Sequence, residues 1–282
     1  EKLDEVLHET AFTMHTYRHT TMGFLRDIQD MPNQYAYSLQ FYNRFYRPEY
    51  TTIILVGEVR RDRALDLTKK YFAEWKHGNY MPNIPAEPPQ GGPRNATVTW
   101  DAPTLPWMTV AFKAPAYSDE KKDKAALDLL SPIAFGSNSD LYQRLVLKEQ
   151  KVDELDTSFG NHPDPELFTV SGRVKDPKDM DYVRDQILGT FKRFTEETVD
   201  PARLDATRSR IRYSFALRMN SSSAIANALA QYIGLRRTPE TINRLFALYQ
   251  QITPEDIRAV ARQYFTLNNR TIVTLTSKGA KE

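Results

Sequence analysis

Three imidazoles lie close together early in the chain: His15 and His19 are four residues apart, and His8 precedes His15 by seven. On a continuous helix such spacing stacks side chains on one face, where imidazoles can ligate zinc. Hydrolysis would also need a carboxylate placed as general base, and none stands between His15 and His19. The TYRHTTMG stretch ending at Gly23 reads as a helix exit, so His15 and Tyr17 are expected to pack a loop over the helix end. With no cysteine in the chain, thiolate metal sites, disulfides and a cysteine nucleophile are excluded.

Other groupings of reactive side chains have simpler readings. Arg208, Arg210, Arg212 and Arg218 fall on one long helix, where Asp205 can pair with Arg208 and the remainder form a solvated face. Tyr35, Tyr37, Phe41, Tyr42, Phe45 and Tyr46 recur at helical spacing, and are read as core and interdomain packing rather than as a stacking platform for bases. Asp27, Asp30, Glu58, Arg60 and Arg61 read as solvated rim. The 38 basic and 36 acidic residues intermix to a net charge of +2, which gives no footprint for nucleic acid or an anionic membrane. At 40% hydrophobic and 26% charged the chain has a globular composition, and it holds no apolar run long enough for a membrane-spanning helix.

The elements that would position these groups carry a repeat. Phe45 to Val59, FYRPEYTTIILVGEV, returns as Tyr264 to Lys278, YFTLNNRTIVTLTSK, an offset of 219 residues, each time as helix end, turn and apolar strand. Two such units need roughly 438 residues, so about 125 residues are expected to precede Glu1. Residues 1–76 read as the closing part of a first unit, with a helix through Leu3, Val6, Leu7 and Ala11, a helix over 33–46, a strand over 51–56 and a helix over 62–75. Five prolines and three glycines mark 77–95 as a linker. Residues 96–282 form a second unit: strands over 96–100 and 109–114, a helix over 119–133 capped by Ser118, a short helix over 141–148, and a hairpin pair over 154–159 and 167–174. Helices over 182–195, 201–218, 222–234, 239–248 and 254–264 and a last strand follow. The order predicts an α+β fold of duplicated domains, antiparallel sheet with flanking helices, the first domain cut short at its N-terminal side. If it lies at a sheet edge, strand 109–114 could take a peptide by strand addition.

HTYRHTTMGFLRDI, then FYNRFYRPEYTTIILVGEV, then a helix ending in YFAEW and a proline-rich linker, resembles the pitrilysin, insulinase and mitochondrial processing peptidase family of zinc metallopeptidases over the whole chain. In that family an inverted HxxEH helix binds zinc through two histidines, and its glutamate activates the metal-bound water. The motif does not occur here, and neither Glu1 nor Glu5 matches the family's third ligand. In the second unit the corresponding helix puts Leu127, Leu130 and Ser131 where His, Glu and His would stand. The resemblance therefore implies zinc in the intact protein, none bound by this chain, and no activity of this chain alone. Where relatives carry an Arg and a Tyr that hold substrate, LYQRLVLKEQKVD has Val146 and Asp153, leaving Arg144, with Tyr142 beside it, as the substrate-binding candidates. The FGSNSD loop from Phe135 to Asp140 stands in the place of the family's glycine-rich loop.

The function so implied is part of a zinc-dependent peptidase: a substrate-enclosing second domain whose partners are a peptide and an upstream segment or homologous subunit, in a dimer-like pairing of domains. The alternative is a non-catalytic core or scaffold subunit of a processing-peptidase-like complex. The family members it resembles make a bacterial envelope, periplasmic or cytoplasmic origin the expectation.

Overall fold

A computed structural model describes residues 1–278. In chain order the elements are α1 (Lys2–Ala11), α2 (Leu25–Asp30), α3 (Tyr35–Phe45), α4 (Arg61–Phe72), β1 (Arg94–Trp100), β2 (Trp107–Lys113), α5 (Lys122–Phe135), α6 (Asp140–Tyr142), β3 (Val152–Ser158) and β4 (Leu167–Val174). They continue with α7 (Met180–Glu196), α8 (Pro201–Arg218), α9 (Ser222–Arg236), α10 (Glu240–Gln251), α11 (Pro254–Tyr264) and β5 (Arg270–Ser277). No described helix is long and apolar enough to cross a membrane. Two compact units are formed, one from Glu1–Met22, Pro85–Arg212 and the residues from Asn243 on, the other from Gly23–Ile84 and Tyr213–Ile242.

The first unit is built on a five-stranded sheet in the order β1-β5-β2-β4-β3. β1 runs parallel to β5 and the remaining pairs are antiparallel, so the sheet is mixed rather than wholly antiparallel. Alternation along the strands divides the side chains between two faces. Met108, Val110, Phe112, Phe168, Val170 and Val174 point to the face covered by helices, where Phe112, Phe191 and Phe265 pack in tilted and edge-to-face pairs with centroids 4.7 to 5.2 Å apart. On the opposite face Leu7, Ala11 and Phe12 of the first helix and its exit pack on Val98, Ala111, Leu167 and Val273. The apolar residues at helical spacing in α1 find their partner here, and each fully buried one is worth about 1.5 to 3 kcal/mol.

Charged groups close the ends of these helices. Arg94 Nη1 donates to the Thr10 and Ala11 carbonyls at the end of α1 (3.0 and 2.7 Å). The next amides belong to Glu87: Thr13, Met14 and His15 N–H all donate to its carboxylate at 2.8 to 3.1 Å, and Lys113 Nζ adds an ion pair at 2.9 Å. Burial opposes ionisation of Glu87, but the Met14 amide, Lys113 and the neighbouring amides outweigh it and hold the carboxyl at about 2. α11 starts with Thr253 and Asp256 in a reciprocal capping box, and Asp256 also pairs with Lys122 at the start of α5 (2.8 Å).

Inside α5, Lys124 pairs with Asp128 one turn on, the Tyr249 hydroxyl donates to Asp128 Oδ2 (2.9 Å), and the ammonium lies 4.2 Å from the Phe159 ring centroid. Burial pushes the Asp128 carboxyl up, opposed by Lys124 and Tyr249. The helix starts at Lys122 rather than at 119, because the Ser118 hydroxyl accepts the Glu120 and Lys121 amides in a turn before it.

The second unit departs most from expectation. Residues 51–56 pair with no described strand, so the β-branched run is extended backbone and not a ladder. No residue of 23–84 is buried. The aromatic row of α3 is exposed rather than core, with Phe41 against Phe45 and Tyr42 against Tyr46, each pair 4.7 Å between centroids. Strand β2, covering the 109–114 segment, is the middle strand and has both edges occupied; it cannot take an added peptide.

Two stability measurements follow. The depressed Glu87 carboxyl contributes stability that is fully present above pH 4.5 and disappears as pH falls to about 2, roughly 3 kcal/mol in all. Glu87→Gln is expected to lower urea stability by about 2 kcal/mol at pH 7, with the gap to wild type closing below pH 3. Lys124→Met alone is expected to cost about 3 kcal/mol by leaving Asp128 buried without its cation, and Lys124→Met/Asp128→Leu to recover most of that loss in the same assay.

Candidate functional site

α5 occupies the place that the resemblance assigns to the metal-binding helix, and its residues do not fit a metal. Leu127 and Leu130 are fully buried hydrocarbon, and Ser131 Oγ lies 3.2 Å from Thr157 Oγ1 of β3. The polar groups the helix does bury, Lys124 and Asp128, neutralise each other. Among the described residues no group of three or more His, Asp or Glu could hold a metal ion.

The histidines near the start are drawn into packing. His15 is buried, caps the turn at Thr16–Arg18 by accepting the Tyr17 amide on Nδ1 (3.0 Å), and stacks 4.2 Å from the Tyr17 ring. Its Nε2 stands 3.4 Å from Asp164 Oδ2. His8 Nδ1 donates to the Tyr17 carbonyl (2.7 Å), and its ring stacks on Phe12. His19 Nδ1 lies 3.0 Å from the Thr20 carbonyl, so each of the three uses a ring nitrogen on backbone.

Tyr142 and Arg144 sit where the chain leaves the FGSNSD loop. Gly136 is held so close to α5 that a Cβ there would stand 2.6 Å from the Pro132 carbonyl oxygen, a position only glycine fills without displacement. The fully buried Ser139 hydroxyl accepts the Tyr142 amide (3.1 Å) and starts α6. Asp140 is gripped by Arg193 (3.0 Å) and Arg203 (3.5 Å). Burial opposes its ionisation, but the two guanidinium groups hold its carboxyl below the usual range.

From Gln143 to Lys148 the helix widens to π geometry, with the Glu149 amide bonded to the Arg144 carbonyl at 2.8 Å. Such single π turns recur at functional sites. The widening keeps Leu141 and Leu145 in the core while Arg144 stays exposed and donates to Gln186 Oε1 of α7 (2.7 Å). Tyr142 and Arg144, two apart, share the element but not a direction. Beside them Tyr182 donates to Glu149 Oε1 (3.0 Å). Val146 is part-buried, and Asp153 is taken by Arg173 (2.8 Å), which also reaches Glu154 (3.6 Å) and lies 5.4 Å from the Trp107 ring centroid.

Arg208, expected on a solvated face, instead donates to the Tyr249 carbonyl (2.8 Å) and to Ile252, closing the end of α10, while keeping Asp205 as its ion pair. Sequence reasoning missed Asp140 with its two arginines and Arg173 with its two carboxylates, because each joins residues far apart in the chain. Lys124 and Asp128 did carry a signal, a charge pair at i, i+4 inside KDKAALDLL.

The chain is 26% identical over 271 residues to the zinc protease PqqE of Helicobacter pylori, covering 94% of this chain and 60% of that protein. It is 24% identical over 278 residues to the mitochondrial-processing peptidase subunit beta of Caenorhabditis elegans, covering 94% of this chain and 58% of the relative. The chain thus spans about three fifths of the length of these relatives. The crystal structure of a protease from Helicobacter pylori superposes with a TM-score of 0.88 at 25% identity, covering 98% of this chain and 66% of that one. Residues 35–211, more than half of the chain, match the family model described as the peptidase M16 inactive domain, and the chain belongs to that family.

Proposed function

We propose that this chain is the non-catalytic portion of a zinc-dependent peptidase: residues 1–76 close a catalytic-type domain, 77–95 link, and 96–282 form the second domain that encloses the peptide. The observation that carries the reading is the pairing of an unsuitable helix with an uncovered segment. α5 holds Leu127 and Leu130 in the core where the family's active helix holds ligands, so metal chemistry falls to residues outside this chain. Meanwhile 23–84 leaves Tyr35, Leu39, Tyr42, Tyr46, Ile53 and Leu55 about half exposed or more, with no buried residue to anchor them. Contiguous apolar surface of this kind calls for a cover, and further polypeptide of the same family, upstream or on another subunit, is the natural one. Domain pairing of that kind is consistent with a relative that is by name a subunit and with a solved structure described as the first half of the periplasmic protease PqqL of Escherichia coli.

Within this reading Arg144 is the substrate-side group. It is exposed, always charged, and set on a π turn whose far side is locked into the core by Leu145. A peptide carbonyl can replace Gln186 as its acceptor, whereas Tyr142 faces another way.

A second reading, a non-catalytic scaffold subunit, is favoured by Val146 and by Asp153, whose carboxylate is already engaged by Arg173. Metal content and activity of the full-length protein decide between them. The peptidase reading expects stoichiometric zinc, hydrolysis of unfolded peptides that chelation abolishes, zinc content unchanged in His8→Ala and His15→Ala, and a KM about tenfold higher with little change in kcat for Arg144→Ala. Full-length protein without zinc or hydrolysis would establish the scaffold. Zinc lost from either histidine variant would overturn the assignment of the ligands to residues outside this chain.

A further inference from the structure

A groove of about 450 Å³ runs between α7 and the start of β5. Its floor is the aromatic cluster of Phe112, Phe191 and Phe265. One wall is opened by Gly189 of α7, where an added Cβ would meet nothing within 4 Å. Arg270 lines it from the other side. Arg270 stands directly across from Phe112 in the β2–β5 ladder, which places its side chain on the helix-covered face of the sheet.

An arginine there needs an anion, and this one has none. Among the described residues no carboxylate lies within ion-pair distance of Arg270, and its Nε is buried without a hydrogen-bond acceptor. Asp185, the acidic residue of the groove, is held by Arg184 (3.0 Å), and Lys192 at the rim pairs with Glu196 (3.7 Å). Burial and the neighbouring Arg184 both push the Arg270 guanidinium down, the signature of a cation placed without its counter-charge. Leaving a part-buried charge unpaired is costly, and an apolar replacement would pack on the Phe floor at no such cost.

We infer that this groove is a binding site for the C-terminal residue of a peptide, with an aromatic or large aliphatic side chain lying on Phe112, Phe191 and Phe265 and the terminal carboxylate on Arg270. The planar guanidinium fork suits a carboxylate, and the bond gains strength from charge on both partners. Asp185 offers an acceptor for the last peptide N–H, a donor that a fatty acid lacks. That the ligand is a peptide rests on the peptidase reading above; the apolar-carboxylate chemistry of the groove does not.

The test is ligand-observed NMR on the full-length protein with N-acetyl-phenylalanine, its C-terminal amide and decanoate. It needs no hydrolysis, so a failed peptidase assay leaves it intact. The acid is expected to bind at millimolar concentration or tighter, with the amide about tenfold weaker, the scale of a charge-assisted hydrogen bond. Arg270→Gln should abolish the preference for acid over amide. Gly189→Leu, which suits a helix better than glycine and fills the groove, should weaken both about tenfold or more while circular dichroism shows the fold kept. Equal binding of acid and amide, no binding in the millimolar range, a preference that survives Arg270→Gln, binding unchanged in Gly189→Leu, or decanoate outcompeting the amino acid would each overturn the assignment.

Discussion

The seat of α1 on the sheet rests on a carboxylate taken out of water. Glu87 comes from a proline-rich stretch with no regular structure, yet it fills the concave face made by the Thr13, Met14 and His15 amides and meets Lys113 of β2. A helix end leaves carbonyls unpaired, and the turn beyond it leaves amides unpaired. Here Arg94 at the start of β1 satisfies the former and Glu87 of the proline-rich stretch before it the latter, so a cation and an anion close both. With that closure Phe12 stays under the Lys113 ammonium, 5.5 Å from ring centroid to nitrogen, and the apolar stripe of α1 stays registered on Val98 and Val273. Without it the amides would face a part-buried surface unpaired, at a cost of about 1 to 3 kcal/mol each.

The same physics separates the two units. In the first, aromatic rings on both sides of β2 and β4 find partners, and the buried Lys124 is answered by Asp128 and Arg208 by backbone carbonyls. In 23–84, residues of equal hydrophobicity line α3 and the extended run at 51–56, where rings such as Phe45 meet Tyr50 and Tyr80 but no residue becomes buried. An apolar strand of this kind gains its stability from a ladder and a covered face, and propensity alone does not supply either.

That contrast explains what the sequence could tell. α1, α3, α4, α7, α8 and α11 were legible from periodicity, and α11 also from Thr253, Pro254 and Asp256 in capping order. The β3–β4 pair was legible from alternation bounded by turn residues. The exposure of Tyr35 and Ile53 was not, because periodicity reports that a face is apolar and not whether anything covers it. The central place of β2 was hidden for a related reason: a strand's neighbours are set by β5, more than 150 residues away, and no local pattern encodes them. Ser118 looked like a helix cap and acts as a turn, since its hydroxyl meets amides before the helix has begun. At the candidate site, Arg144 was reached only through the family resemblance of LYQRLVLKEQKVD, and the π turn that presents it carried no signal in the sequence.

α5 meets the demands of packing and not those of metal binding. Its demands as a packed helix are met by Leu127, Leu129, Leu130 and Ile133, any of which tolerates an isosteric exchange at modest cost. Its demands as a metal helix would need imidazoles and a carboxylate at fixed positions, and those are exacting in a way hydrocarbon is not. Here leucine fills the positions that the resemblance aligns with ligands, and Lys124 and Asp128 answer each other and Tyr249. Metal binding on this helix would have to displace core side chains as well as supply ligands. Opening space for imidazole at Leu127 and Leu130 leaves cavities or buried polar atoms before any metal arrives, so the packing itself opposes a metal site here.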